Sequence, residues 1–425
     1  MLIRNAILPD GRVRDVRIEG ETIAAVEETL HPDGREGTID ATGLRMFPGA
    51  VDVHVHLREP GDAHKETWET GTAAAAAGGV TTVVDQPNTD PPTVSGAAFD
   101  EKEAIAADAL VDYGINGGVV PEWEPTSLFD RPLFALGEVF LADSTGEMGI
   151  DRELFDEAVA RASAAELPIT VHAEDATMFD ESVKSRDDPA AWSAFRTPAA
   201  ERDAVELAVS VAADHAAQLH IAHASTPAGI DAAVSGGLTV EVTPHHLLLS
   251  TEDLPDLGTL GRMNPPLRDE QRRAAVWDRL VDGTIDIVAT DHAPHTRAEK
   301  DASIWEAPSG VPGVETMLPL LLAQAAAGEL TYDRVAAVTA RNPADIFDLQ
   351  HKGHIAPGYD ADLVLVDVDD VTDIHGDRLV TDCGWTPFEG FDGIFPVMTL
   401  CRGTIVFEDG RIGEHAGRNV RRVAD

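Results

Sequence analysis

Between residues 50 and 291 the sequence alternates short apolar runs with segments of helical periodicity, and this alternation restricts the fold more than any other feature. The candidate strands are AVDVHVH, VTTVVDQ, YGINGGVV, LFALGEVFL, LPITVHAE, QLHIAHAS, LTVEVTP and TIDIVATD. Helical patterns such as TGTAAAAAGG, DRELFDEAVARASA, ERDAVELAVSVAADH and DEQRRAAVWDRLV lie between them. Helical crossovers between successive strands imply parallel pairing, and eight such strands predict a (β/α)8 TIM-type barrel. Residues 1–50 carry strand alternation with turns at PDG and EG, and the same texture returns in ADLVLVDVDD and MTLCRGTIVFEDGRIG. The expected organisation is therefore α/β, with a barrel over 51–350 and a small β-sandwich domain assembled from 1–50 and 351–425.

Charge narrows the partners. The chain has 75 acidic and 32 basic residues, a formal net charge of -43. Such a chain repels phosphate backbones and anionic lipid, which argues against nucleic acid and membrane partners. The acids run throughout, as in DEKEAIAADALVD and DVDDVTDIHGD. That distribution reads as adaptation to molar salt, where screening over a few Å relieves self-repulsion. No stretch approaches the roughly 18 apolar residues of a membrane span. The opening MLIRNAILPDGRVRDV lacks the apolar core of a secretory signal, so a cytoplasmic location is expected. Cys383 and Cys401 are the only cysteines and lack C-x-x-C spacing, so any metal falls to histidine and carboxylate.

In a barrel of this kind chemistry collects at the C-terminal ends of the strands. His54 and His56 end the first strand and share a face by period-two alternation; His172 lies on the fifth, His223 on the sixth and Asp291 on the eighth. One such histidine reads as a satisfied core residue, and a lone H-x-H is a weak signal. Four strand ends carrying such groups make a donor set suited to a divalent ion such as zinc. The set exceeds one tetrahedral zinc with an open position, whereas two ions sharing a carboxylate use it fully. Strand four offers Glu138 and Asp143 for the shared place. Glu138 is preferred, because a carboxylate in an otherwise apolar strand is costly unless compensated, while Asp143 reads as a turn residue.

In order along the chain, HVHLREPG, KETWETGTAAAAAGGVTTVVDQPNTDPPT, VHAED, IAHAST, MNPPLR and DHAPH resemble the class I dihydroorotases of the amidohydrolase superfamily, over nearly the whole length. With its acidic composition the chain looks like a halophilic archaeal type. The resemblance implies interconversion of N-carbamoyl-L-aspartate and L-dihydroorotate in pyrimidine synthesis. It implies two zinc ions held by His54, His56, Glu138, His172, His223 and Asp291, with Asp291 also moving the proton. Arg58, Asn88 and His295 fall on substrate-carboxylate positions; Asn264 and the GVPG segment, with Pro312 and Gly313, fall on loops that hold the pyrimidine ring. Many relatives have a carbamylated lysine on strand four and others an aspartate near its end. This chain has no lysine there, so Glu138 or Asp143 takes the place according to which type it is laid on.

A small-molecule substrate is the expected partner, and a homodimer is plausible by resemblance. An allantoinase-like or dihydropyrimidinase-like hydrolase of a neutral ring is the nearest rival. Arg58, Asn88 and His295 weigh against it, since a neutral ring has no carboxylate for them to hold. A catalytically inactive scaffold is the rival of another class, and the retained His and Asp residues weigh against that. Arg58 also admits a plainer reading as a surface salt bridge with Glu59 or Glu66. Glu174 and Asp175 orient His172 or begin a helix, His245 and His246 pack or support the site, and the loop at 300–313 is a candidate lid.

Overall fold

The computed structural model describes residues 1–34, 36–144 and 148–422. The first part of the chain forms β1 (Leu2–Ile7), β2 (Val13–Glu19), β3 (Thr22–Glu27), β4 (Thr38–Asp40) and β5 (Arg45–Pro48). The middle forms β6 (Ala50–Val55), β7 (Val80–Asp85), β8 (Asp112–Ile115), β9 (Leu136–Phe140), β10 (Ile169–His172), β11 (Leu219–Ile221), β12 (Thr239–Val242) and β13 (Ile287–Val288). The last part adds β14 (Leu363–Val366), β15 (Thr372–Asp373), β16 (Asp392–Gly393), β17 (Pro396–Cys401), β18 (Thr404–Glu408) and β19 (Arg411–Ile412).

Strands from the two ends of the chain share one sheet, in the order β19-β18-β17-β14-β5-β1-β2-β3 with β4 beside β1. The join is antiparallel, β5 against β14, with Phe47 opposite Val364. Alternate residues of these strands, among them Ile3, Val16, Met46, Leu363 and Leu400, bury one face in a common core. Lys352 ties this sheet to the middle of the chain: its Nζ is 2.7 Å from Asp362 and 3.0 Å from Asp360, and it bonds Asp112 at the start of β8.

The middle strands pair in parallel, β6-β7-β8 in one sheet and β9 through β13 in another, in chain order. Parallel bridges join the two sheets at both edges, Gly117 to Leu136 and Val55 to His292. β6 and β7 are buried along their whole length, which is why they read as apolar runs rather than alternating ones. Helices Trp68–Ala77, Arg152–Ala164, Pro198–His215, Pro227–Ser235 and Glu270–Asp282 follow strands in turn. Each begins at a Thr or Asp, namely Thr67, Asp151, Thr197, Thr226 and Asp269, whose side chain accepts a backbone N–H of the first turn. Such a cap contributes about 1 kcal/mol. The alanine-rich helix stops at Gly78, and Gly79 then takes φ +82°, where a Cβ would meet Leu318 at 2.8 Å. β13 is shorter than TIDIVATD predicts, because Asp52 accepts both the N–H (3.0 Å) and the hydroxyl (2.6 Å) of Thr290 in place of a strand neighbour. Among the described residues no helix is long and apolar enough to cross a membrane.

Candidate metal centre

Six of the side chains singled out in the sequence meet at the ends of the parallel strands. Glu138 of β9 stands among the histidines: its Oε1 is 2.5 Å from His223 Nε2 and 3.0 Å from His172 Nδ1, and its Oε2 is 3.3 Å from His54 Nε2. Asp291 Oδ1 is 3.0 Å from His56 Nε2 and 3.6 Å from His54 Nε2. The donors thus form two groups that share Glu138, one with His54 and His56, the other with His172 and His223. With zinc bonds of about 2.0–2.1 Å, tetrahedral donors sit ~3.3 Å apart, so the spacing suits such an ion. His54 Nε2 is buried without a hydrogen-bond partner between Glu138 and Asp291. His172 Nδ1 and His223 Nε2 lie 3.0 Å from each other, both aimed at one carboxylate oxygen. A divalent cation satisfies all of these atoms at once, and the donor set fits it. Asp143 takes no part: it is exposed, and its Oδ1 accepts the Gly149 N–H at 2.7 Å, as a turn residue does.

The opposite ring nitrogens are held from outside. His54 Nδ1 lies 2.6 Å from Glu241, His172 Nε2 lies 3.0 Å from Glu174, and His56 Nδ1 lies 2.7 Å from Asn88 Oδ1. Each contact fixes a tautomer and turns the other nitrogen toward Glu138 or Asp291. Glu174 is in turn gripped by buried Arg196 at 2.6 Å, and Asp175 caps the short turn that follows. Burial opposes ionisation of Glu138, but the charges of His223 and His54 outweigh it and hold its carboxyl well below the usual range. Asp291 is likewise lowered, the His56 hydrogen bond overcoming burial. His172 goes the other way: burial favours its neutral ring, yet Glu138 and Glu174 raise it to about 9. An incoming metal therefore displaces protons held by this cluster. Arg58, His223 and Asp291 all have left-handed backbones, with φ of +66°, +34° and +47°. That conformation costs a non-glycine residue about 1–3 kcal/mol, which surrounding structure must offset.

The cluster opens on a narrow polar cavity whose wall includes Arg58, Asn88, Ser144, Asn264, Ser309 and Gly310. Arg58 is only 5% exposed and forms no salt bridge with Glu59 or Glu66. Those acids are engaged elsewhere, Glu59 by the Trp68 N–H at 2.9 Å and Glu66 by the hydroxyls of Thr70 and Thr381. Arg58 Nε donates to Pro294 O at 3.1 Å, and its Nη2 lies 3.2 Å from His295 Nε2. His295 is buried against Arg58 rather than on the wall, and burial together with Arg58 keeps its ring neutral. Asn264 accepts from Trp192 Nε1 at 2.9 Å and donates to Ser144 Oγ at 3.0 Å, which commits its side chain to holding the wall.

Pro312 and Gly313 stand apart from the residues that line this cavity. They pack with His292 and Glu315, and the cavity takes Ser309 and Gly310 from the same loop instead. The cause is His292 Nδ1, which accepts the Gly313 N–H at 3.0 Å and draws that part of the loop inward. Glu241 was missed, although a single acid in the apolar run LTVEV gives the same signal that singled out Glu138.

Histidines and acids converging at the ends of parallel strands, beside a small polar cavity, mark a metal-dependent hydrolase. Residues 45–406 match the amidohydrolase family, and the chain belongs to it. It is 64% identical to the dihydroorotase of Halobacterium salinarum, over 99% of both chains. It is 40% identical to the dihydroorotase of Methanosarcina acetivorans, over 96% of this chain and 91% of that one. Among solved structures it resembles the L-hydantoinase (dihydropyrimidinase) from Arthrobacter aurescens, with TM-score 0.94, 28% identity and 98% of each chain covered. The dihydropyrimidinase from Brevibacillus agri gives TM-score 0.90 at 27% identity, over 99% of this chain and 98% of that one.

Proposed function

We infer that the chain catalyses the dihydroorotase reaction, the reversible hydrolysis of L-dihydroorotate to N-carbamoyl-L-aspartate. The scaffold is a (β/α)8 barrel over 51–350 with a β-sandwich domain from 1–50 and 351–425. Eight parallel strands in chain order, bridged at both sheet edges, support that reading. The observation that carries the substrate is Arg58: a buried guanidinium on the wall of the metal-site cavity, with no ion pair among the described residues. A ring substrate bearing a carboxylate supplies the planar two-pronged partner that a neutral ureide lacks.

His54, His56, Asp291 and Glu138 would hold one zinc ion, and His172 and His223 with the same Glu138 would hold a second. Bound zinc supplies Lewis acidity toward the ring amide carbonyl and toward water. Asp291, kept ionised beside His56, takes the proton from the attacking water and returns it to the departing ring nitrogen. Arg58 receives the substrate carboxylate, backed by His295, while Asn88 orients His56 beside it. Asn264, Ser309 and Gly310 hold the ring from the opposite loops through backbone groups. The expected setting is the cytoplasm, with a homodimer as the assembly and the small-molecule substrate as the sole reaction partner.

Replacing Arg58 tests the substrate reading. Arg58→Ala raises KM for L-dihydroorotate by about 100-fold, the loss expected for a buried charged hydrogen-bond pair, with bound zinc unchanged. An unchanged KM, or loss of zinc in its place, contradicts it.

A further inference from the structure

Lys300 closes the short helix Arg297–Lys300 and is 1% exposed. Its Nζ donates to three carbonyls, Arg262 O at 2.9 Å, Pro308 O at 2.9 Å and Gly310 O at 3.0 Å. These acceptors belong to two loops that form the cavity wall: Arg262 is two residues from Asn264, and Pro308 and Gly310 flank Ser309. In a chain with 75 acidic residues, no carboxylate among the described residues pairs with this buried ammonium. Three carbonyl acceptors call for three protons, a number only the charged form has.

We propose that Lys300 is a positioning residue for the substrate: its ammonium pins the Arg262 and Pro308–Gly310 loops together and so sets the cavity wall that receives the anionic ring. The assignment rests on the dihydroorotate reading for its ligand. The pinned loops also bond each other, Gly310 N to Arg262 O at 3.0 Å. Gly310 packs so closely on Ala293, two residues past Asp291, that a Cβ there would lie 2.5 Å from the Ala293 carbonyl oxygen. A shift of the wall is therefore felt at the strand end that carries Asp291.

The device is sensitive to pH. Burial, together with Arg262 and Arg58 and against an opposing contribution from Cys383, lowers the Lys300 pKa to about 7; neutral His295 also faces it. An anion in the cavity favours the ammonium, and by linkage the ammonium favours the anion. Below the pKa all three carbonyls have a proton and the wall is complete. As pH rises through it, one carbonyl loses its donor and the attraction disappears.

The test measures KM and kcat for L-dihydroorotate in zinc-loaded native protein and in Lys300→Met, from about pH 6 to about pH 9. The native KM rises about tenfold across that range while Lys300→Met starts high and stays flat, with kcat changed by less than about threefold and zinc content equal. A flat native KM, or a native-like KM in the variant, overturns the proposal. Amide exchange at Gly310, corrected for intrinsic rates, reads the wall without turnover. Protection lost in Lys300→Met supports the pin even if native protein ignores dihydroorotate, in which case only the substrate reading fails. Unchanged protection overturns it. Should the variant not fold, the native protein decides: Gly310 protection that falls as pH passes about 7 supports the pin, and constant protection removes it.

Discussion

Two buried acidic clusters in this molecule are neutralised in different ways. Around Asp112, Asp360 and Asp362 the chain brings its own cation: Lys352 Nζ sits among all three carboxylates, and Arg402 bonds Asp112 as well. Burial favours the neutral amine, but Asp362 and its neighbours win and drive the Lys352 pKa upward. Around Glu138 and Asp291 the described residues bring only imidazoles within ion-pair distance, and His54 Nε2 has no hydrogen-bond partner among them. Both clusters offer three or more ligand atoms close together. Crowded carboxylates therefore do not by themselves mark a metal centre. What marks one is the lack of a resident ammonium, with ring nitrogens turned inward by outer partners.

The contrast can be broken at several points. The largest effect is expected from Glu138→Gln, which removes the charge shared by both donor groups. Turnover should fall by about 10⁴-fold with loss of bound zinc, followed by kinetics and metal analysis. Native zinc content in that variant would make the two clusters alike. Lys352→Met removes the ammonium shared by Asp112, Asp360 and Asp362 and should cost about 3–5 kcal/mol in denaturant unfolding, while zinc content stays the same. Glu241→Gln loosens His54 without touching the metal and should weaken zinc binding by about 10–100-fold in a competition titration. The smallest effect sharpens the difference between surface and interior. Transfer from molar potassium chloride to about 0.1 M should lower Tm by several degrees as the surface charges regain their repulsion. The drop should be equal in Lys352→Met, because buried pairs are screened much less.

Much of this cluster was legible in the sequence, because its histidines sit at strand ends where period and position are readable. His54 and His56 share a face by alternation, and Glu138 stands out as an acid in an apolar run. That last signal does not separate roles, however. Glu241 has the same texture and orients His54 across 187 residues of sequence, while Asp52 has it and serves Thr290, with burial raising its carboxyl to about 6. The parallel strands and their helices were readable from apolar runs and caps, whereas the early end of β13 depended on that Asp52 side chain. The loop at 300–313 was the least readable. Its conformation is set by His292 drawing Gly313 inward and by Lys300 holding Pro308 and Gly310, contacts that no local pattern encodes.

The most direct measurement follows L-dihydroorotate by its ultraviolet absorbance in molar potassium chloride, with protein as zinc-loaded, chelated and refilled samples and dihydrouracil alongside. Turnover of dihydroorotate should disappear on chelation and return with zinc, with none of dihydrouracil. Turnover that survives complete metal removal, or turnover of dihydrouracil in place of dihydroorotate, would contradict the zinc-dependent dihydroorotase reading.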